Sequence, residues 1–377
     1  MQQNHTKPEI YRDDQVRAAI QELFSYEDFL AGMKAFVPPQ LNKLILDEKD
    51  AVKTAEDFQK RVIRPFLKAV EQSSISNFTF SGTEHLSPEK SYLFVSNHRD
   101  IVLDSAYLNI ILLEQGMRTS QIAIGDNLVA NRLTELLFKI NKSFVVKRSG
   151  NPREIYNHAV TLSEYIKETV TKEKDSVWIA QREGRAKDGN DKTQISLLKM
   201  LSLSNKEDLI KHFKSLQITP VSISYEYDPC GYLKTKEYLE KKSNPNYKKV
   251  FHDDAQHLLL GIKGYKGHVH FHFEKPLDKR LNALKDGANQ KEMLHTLATI
   301  IDKAIHLHYQ LHPINYYAYD QLLGSNLYYA QYQTTQKKLK EFFDILIEML
   351  PPEKQIEGRA FMLKIYANPL YNKLSYT

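Results

Sequence analysis

Apolar residues at Val16, Ile20, Leu23 and Phe24, within YRDDQVRAAIQELFSYEDFLAGMKAF, fall on one face of a helix. Pro38 and Pro39 break that pattern, and a second helical pattern runs through DFQKRVIRPFLKAVEQ. Near residue 76 the periodicity changes. Asn77–Phe80 reads as a short strand, SGTEHLSPEK as a loop, and Ser91–Ser96 (SYLFVS) as a buried strand with polar bounds. A helix follows over about Asp104–Glu114. Beyond it come a strand (QIAIG), an amphipathic helix (LVANRLTELLFKI), a strand (SFVVKR), a helix (Arg153–Lys172) and a strand (SVWIAQ). Ile195–Leu203 reads as helix, while Gln217–Tyr225 and Gly267–Phe273 read as strands.

Strands alternating with helices predict an α/β fold with a largely parallel central sheet flanked by helices. Three regions follow. Residues 1–75 form an N-terminal helical region and residues 76–280 the α/β domain, with a Lys-, Tyr- and Gly-rich excursion at about 229–266. Residues 281–377 form a C-terminal helical region broken late by Pro351 and Pro352. No internal repeat or low-complexity tract is present.

With 26% charged and 42% hydrophobic residues among 377, the chain suits a globular protein and is too apolar for a disordered one. The single Cys230 excludes an internal disulfide framework and a multi-thiolate zinc site, and fits a reducing, cytoplasmic setting. The polar start MQQNHTKPEIYRDDQ is no secretory signal. The most apolar stretch, Ile101–Leu113, is interrupted by Asp104 and Asn109, and no transmembrane helix is expected. A net charge of +6 suits an anionic partner, although a modest excess of Lys is commonly just a solvated surface.

Candidate chemistry concentrates at Ser96-Asn97-His98-Arg99-Asp100-Ile101-Val102-Leu103-Asp104. A His stands just beyond a buried strand, with carboxylates two and six residues on. Sites in open α/β sheets gather beyond the carboxyl ends of strands. A His oriented there by a carboxylate can act as a general base. The ordinary reading is a loop His and an Asp that starts a helix. Three further strand exits add cations or shape: SFVVKR with Lys147 and Arg148, WIAQREGRAKDG with Arg182, Glu183, Gly184, Arg185 and Lys187, and ITPVSISYEYDP with Pro220. Side chains at these exits can converge on one sheet edge and hold a phosphate; singly, each basic pair reads as surface charge.

These four blocks resemble, in order, those of the glycerolipid acyltransferase family of glycerol-phosphate and lysophosphatidate acyltransferases. FVSNHRDIVLD resembles its first block, SFVVKR its second, REGRAKDG its third and TPVSISYE its fourth, and GHVHFHFEKPL is similar to its closing strand. The resemblance covers about residues 78–277. Five residues separate His98 from Asp104, one more than in the family. Asp104 precedes a helix as the family's Asp does and is favoured as the partner of His98, with Asp100 as its rival.

The resemblance implies an O-acyltransferase in which His98 takes the proton of an acceptor hydroxyl and Asp104 holds the ring. Acyl-CoA or acyl carrier protein would be the donor, and a phosphorylated glycerol or lysolipid the acceptor. Arg148 and Arg185 would hold the phosphate, aided by Lys147 and Lys187. Glu183 and Gly184 would shape the turn, and Pro220 and Val221 would line the donor side. No metal or other cofactor is implied, no nucleic acid is expected, and the protein would associate peripherally with a membrane. A non-catalytic lipid- or anion-binding protein on the same fold is the competing class.

Other features receive ordinary readings. His268, His270 and His272 alternate on a strand with Val269, Phe271 and Phe273 on the other face, and a polar-out, apolar-in strand is preferred to a metal site. The tyrosines at 316, 317, 319, 328, 329 and 332, and the amphipathic EFFDILIEML, are read as helix packing rather than membrane anchors.

Overall fold

The computed structural model describes residues 8–147, 149–205, 207–244, 246–247, 251–284 and 289–377. Seven strands form one sheet: β1 (Ile75–Ser81), β2 (Leu93–Ser96), β3 (Gln121–Gly125), β4 (Ser143–Val146), β5 (Val177–Ala180), β6 (Ile218–Tyr225) and β7 (Gly267–Phe273). Their spatial order is β1-β7-β6-β2-β5-β3-β4. From β6 to β4 all neighbours are parallel, β7 runs antiparallel to β6, and β1 lies parallel to β7. Each strand falls within or beside a segment whose apolar run predicts it. The short β2, fully buried between β5 and β6, is the centre of the sheet. Its burial on both faces explains the uninterrupted apolar run.

The chain before the sheet is helical: α1 (Asp13–Leu23), α2 (Glu27–Phe36), α3 (Pro39–Glu48) and α4 (Ala55–Phe58). Thr54 and Asp57 close a reciprocal capping box at the start of α4. A five-residue π-helical turn, Gln59–Ile63, then joins α4 to α5 (Arg64–Ser74). Within the α/β region lie α6 (Leu103–Glu114), α7 (Arg132–Ile140), α8 (Pro152–Thr171), α9 (Ile195–Leu201) and α10 (Leu209–Ser215). The excursion after β6 holds α11 (Gly231–Ser243) and α12 (Phe251–Lys263). After β7 follow α13 (Gln290–Leu307), α14 (Pro313–Leu323), α15 (Tyr329–Tyr332), α16 (Gln336–Glu348) and α17 (Gln355–Leu374).

Alternation along the strands sorts the core into layers. Leu93, Val95, Val177, Ile179 and Ile218 pack with α8, α9, α10 and α13 on one face. Phe94, Trp178, Val221, Ile223 and Phe271 pack with α5 and α6 on the other. Helices α1 to α4 form a third cluster that includes Leu136 and Ile140 of α7. The C-terminal helices bury Tyr317, Tyr332, Phe343, Ile347 and Tyr366 among themselves. EFFDILIEML thus turns Phe343, Ile347 and Leu350 inward and leaves Ile345 exposed. Among the described residues, no helix is long and apolar enough to cross a membrane.

On β7, Val269, Phe271 and Phe273 are fully buried, and the histidines face the other way. They are not bathed in solvent. Thr79 of β1 bridges His268 and His270 at 2.6 and 2.7 Å, and Ser81 bridges His270 and His272 at 3.1 and 2.9 Å. His308 stacks on His272 with ring centroids 4.0 Å apart. Burial first, then neighbouring His308, pushes His272 down to about 4. Burial, and then His268, lowers His270 as well. His272, His308 and Glu274 offer ligand atoms within 4.8 Å of one another. Nearly parallel rings cannot both aim their nitrogen lone pairs at one ion, because those lone pairs lie in the ring planes.

Candidate active site

The carboxyl end of β2 places the candidate chemistry. The backbone ladder stops at Ser96, and the Asn97 side chain extends it: its Nδ2–H donates to the Ile223 carbonyl at 2.8 Å and its Oδ1 accepts from the Ile223 N–H at 2.8 Å. The amide stands in for one more strand residue and pins the next position, His98, beyond the sheet. From there the chain turns into α6. Asp100 makes that turn, its Oδ1 accepting from the N–H groups of Val102 and Leu103 at 2.9 and 2.8 Å.

Asp104 sits in the first turn of α6, fully buried. Its Oδ2 lies 2.8 Å from His98 Nδ1 and accepts from the N–H groups of Arg99 and Asp100 at 2.6 and 3.0 Å. Its Oδ1 accepts from the Tyr225 hydroxyl at 3.2 Å. The carboxylate is thereby fixed from four sides, and the proton of His98 belongs on Nδ1. Nε2 is left with its lone pair, the arrangement a general base requires. Of the two carboxylates in the first block, Asp104 makes this contact. Asp100 is turned into the protein, where burial and then the nearby Asp104 raise its pKa. A Cβ on Gly261 of α12 would come within 2.1 Å of the Asp100 Oδ2, so glycine is required where that helix crosses.

His98 lines a cavity of about 360 Å³. The walls are overwhelmingly apolar: Phe29, Met33 and Phe36 from α2, Val62 and Phe66 near the π turn, Ile110 of α6, Ile122 and Ile124 of β3, Leu137 and Phe138 of α7, and Leu258 and Ile262 of α12. The N-terminal helical region therefore roofs a hydrophobic chamber whose floor is the β3 side of the sheet. Trp178 also lines the chamber, edge-on to the imidazole with centroids 5.7 Å apart, its indole N–H donating to Ser96 Oγ at 3.0 Å. Half-buried Arg182 and Gly184 also line the chamber. The Arg182 Nε is buried without a protein partner among the described residues.

Beside this chamber lies a buried charge cluster. Arg99 pairs with Asp191, and its guanidinium lies 5.6 Å from the centre of the Tyr309 ring. Lys234 pairs with Asp228 at 2.5 Å. Burial opposes the ionised form of Asp228, but Lys234 outweighs it and holds the carboxyl below its usual range. Arg185 is buried in the same cluster and feels Cys230, Asp100 and Asp228.

The other sequence candidates separate accordingly. Arg148 lies outside the described residues. Lys147 is exposed after β4, and Glu183 is exposed with its N–H donating to the Gln194 side chain at 2.8 Å. Gly184 adopts φ +66°, a left-handed turn that glycine takes without strain. Lys187 pairs with Glu237 of α11 at 2.8 Å. Pro220 is buried in β6, paired in register with Val95, and is not part of the chamber wall. The residues that sequence reasoning passed over are Trp178, inside the strand segment SVWIAQ, and Tyr225, inside the fourth block.

Residues 77–225, which carry all four blocks, match the family model named Acyltransferase. That segment, less than half of the chain, is similar to the acyltransferase family. Among solved structures, the chain is similar to the 1-acyl-sn-glycerophosphate (LPA) acyltransferase PlsC from Thermotoga maritima. Identity is 12% and the TM-score 0.38, over 79% of this chain and 99% of that one. A search of curated proteins returned no match. In this segment, His98 thus borders an apolar chamber while its partner Asp104 lies buried behind it.

Proposed function

We propose that this acyltransferase moves a fatty acyl group from the thioester of acyl-CoA or acyl carrier protein to the hydroxyl of a glycerol-phosphate-type acceptor, glycerol-3-phosphate or lysophosphatidate, in phospholipid biosynthesis. One observation carries the reading: a histidine whose Nδ1 is committed to a buried Asp104 opens onto a hydrocarbon-lined cavity. His98 Nε2 takes the acceptor's hydroxyl proton as the oxygen attacks the thioester carbon. The C–S bond then breaks, and the departing thiolate receives that proton from the imidazolium. The acyl chain lies in the chamber, away from water. Arg182, with a buried nitrogen lacking a protein partner, is the cation proposed for the acceptor phosphate. A lipidic acceptor or product calls for reversible contact with a membrane surface.

The test is an acceptor panel with labelled acyl-CoA and acyl carrier protein, products read by mass. His98→Ala is expected to lower turnover about 10²–10⁴-fold, the range for a positioned base. Arg182→Gln is expected to raise the KM of phosphorylated acceptors about tenfold and leave that of the donor nearly unchanged. Wild-type turnover in His98→Ala overturns the mechanism. Lipid binding without transfer to any acceptor shifts the reading to a non-catalytic lipid-binding protein.

A further inference from the structure

The chamber is not uniformly apolar. Most of its polar wall residues are occupied: Asn109 binds Ser120, Thr134 binds its own helix cap, and Asn141 donates to the Leu137 carbonyl. Two are different. Gln59 is 2% exposed and Ser143 is 1% exposed, and neither the Gln59 Oε1 nor the Ser143 Oγ has a hydrogen-bond partner among the described residues. Both residues line the chamber.

Their origins show how they come to be there. Gln59 opens the π-helical turn between α4 and α5. Such turns interrupt the regular helix and are frequent at functional sites. Ser143 begins β4, a strand whose next residue, Phe144, faces the opposite core. Alternation therefore turns Ser143 to the chamber side. A buried amide or hydroxyl left without a partner bears its full desolvation penalty. A plain hydrocarbon chain in the chamber would leave both groups in that condition.

Register fixes where along a bound chain Ser143 acts. Trp178 beside His98 pairs with Ile122, and Ile122 pairs with Ser143. Ser143 is thus two strand spacings, roughly 10 Å, beyond Trp178. A chain whose thioester sits at His98 brings its middle carbons, not its 2- or 3-position, to this level. From these placements we infer that Gln59 and Ser143 form a polar subsite, one from the helical wall and one from the sheet. The subsite selects long-chain acyl groups bearing a mid-chain hydroxyl, which can donate to the Gln59 Oε1 and accept from the Ser143 hydroxyl. The inference rests on the acyl-transfer reading for which end of the chain meets His98.

The test uses the full chain and two independent readouts. Displacement of a fluorescent fatty acid compares octadecanoic, 10-hydroxyoctadecanoic and 3-hydroxyoctadecanoic acids, and initial rates compare the corresponding CoA thioesters. A hydroxyl in an apolar cavity without a partner would weaken binding. The expectation is the reverse for the 10-hydroxy acid: binding about fivefold or more tighter than octadecanoic acid, with no gain for the 3-hydroxy acid. Gln59→Leu and Ser143→Ala should each lower that ratio, and the double variant should prefer the plain chain. Gln59→Met serves if the leucine variant fails to fold. Equal or tighter binding of the plain acid by the wild type overturns the subsite, as does an unchanged ratio in all variants, which would mean that water satisfies these atoms. Rates and binding separate the two readings. Absent transfer with the binding preference intact removes the acyl-transfer reading alone, and intact transfer without preference removes the subsite alone.

Discussion

His98 and Arg99 are adjacent in sequence, and their side chains enter unlike surroundings. His98 opens onto the apolar chamber beneath the N-terminal helices and is touched by a single carboxylate. Arg99 is buried against Asp191 and Tyr309, in the cluster that also holds Asp228, Lys234 and Arg185 and that meets Tyr366 of the C-terminal helices. One side of the loop thus carries the reactive group and space for a hydrocarbon. The other carries charge that is already neutralised inside the protein. Basic residues in a motif need not meet substrate: here two of the block cations, Arg185 and Lys187, face internal carboxylates.

The sharpest way to break this contrast is to cut the internal charge. The Asp191 and Arg99 side chains are 2% and 5% exposed. Asp191→Ala strands a buried guanidinium, and loss of one partner of such a pair costs about 3–5 kcal/mol. Urea unfolding should register that loss. The double replacement Arg99→Met with Asp191→Leu should recover most of it, since an apolar pair has no charge to desolvate. A drop of under 1 kcal/mol in Asp191→Ala would mean that the cluster does not support the loop.

Much of this arrangement is legible along the chain, and the remainder is hidden for physical reasons. The inner strands show as apolar runs with polar bounds and β1 and β7 as alternation, because burial on a sheet leaves that trace directly. The reversed direction of β7 does not, since alternation carries no sign for parallel or antiparallel pairing. The first block left Asp100 and Asp104 both open, because both are near the ring in sequence; only the start of α6 separates a carboxylate turned to the imidazole from one turned to Gly261. In the third block, the left-handed turn at Gly184 separates Arg182 on the chamber side from Arg185 in the interior. Residue spacing does not encode that reversal. The Lys- and Tyr-rich surface of the excursion masks α12, whose Leu258 and Ile262 close the chamber.

A smaller effect sharpens the charged side. Glu237 is opposed by burial, yet hydrogen bonds from Lys187 and Lys241 hold its pKa down at about 2. A carboxyl whose folded pKa lies below its unfolded value adds stability above the unfolded pKa of about 4.3 and loses it as pH falls toward the folded value. Both lysines are more than a third exposed, so solvent screening discounts the gain. Glu237→Gln should therefore cost about 1–2 kcal/mol at pH 7, with the difference from wild type shrinking between pH 4.5 and 2. A difference independent of pH would show that Glu237 acts through packing instead of charge. If Lys187 binds substrate instead, Glu237→Gln should change acceptor KM while leaving stability alone.

The smallest expected change lies at the boundary between the two sides. Asp100 and Asp104 both belong to the first block and are both buried, but they differ in the partners they hold. The Asp100 Oδ1 accepts two backbone N–H groups, which the oxygen of an asparagine accepts equally well. Its folded pKa is raised, by burial and then by Asp104. A carboxyl raised in this way favours the folded state only below its unfolded pKa, and that advantage is lost as pH rises through the folded pKa. At pH 7 the charge is therefore a burden, and Asp100→Asn should alter stability by less than about 1 kcal/mol, with neutral-pH stability equal or higher. Turnover should stay within about threefold of wild type. Asp104→Ala is the contrasting case: it removes the oxygen that accepts the His98 Nδ1 proton, and turnover should fall about 10²-fold or more. A comparable loss of turnover in Asp100→Asn would transfer the orienting role to that carboxylate and undo the division between a reactive side and a structural side of the loop.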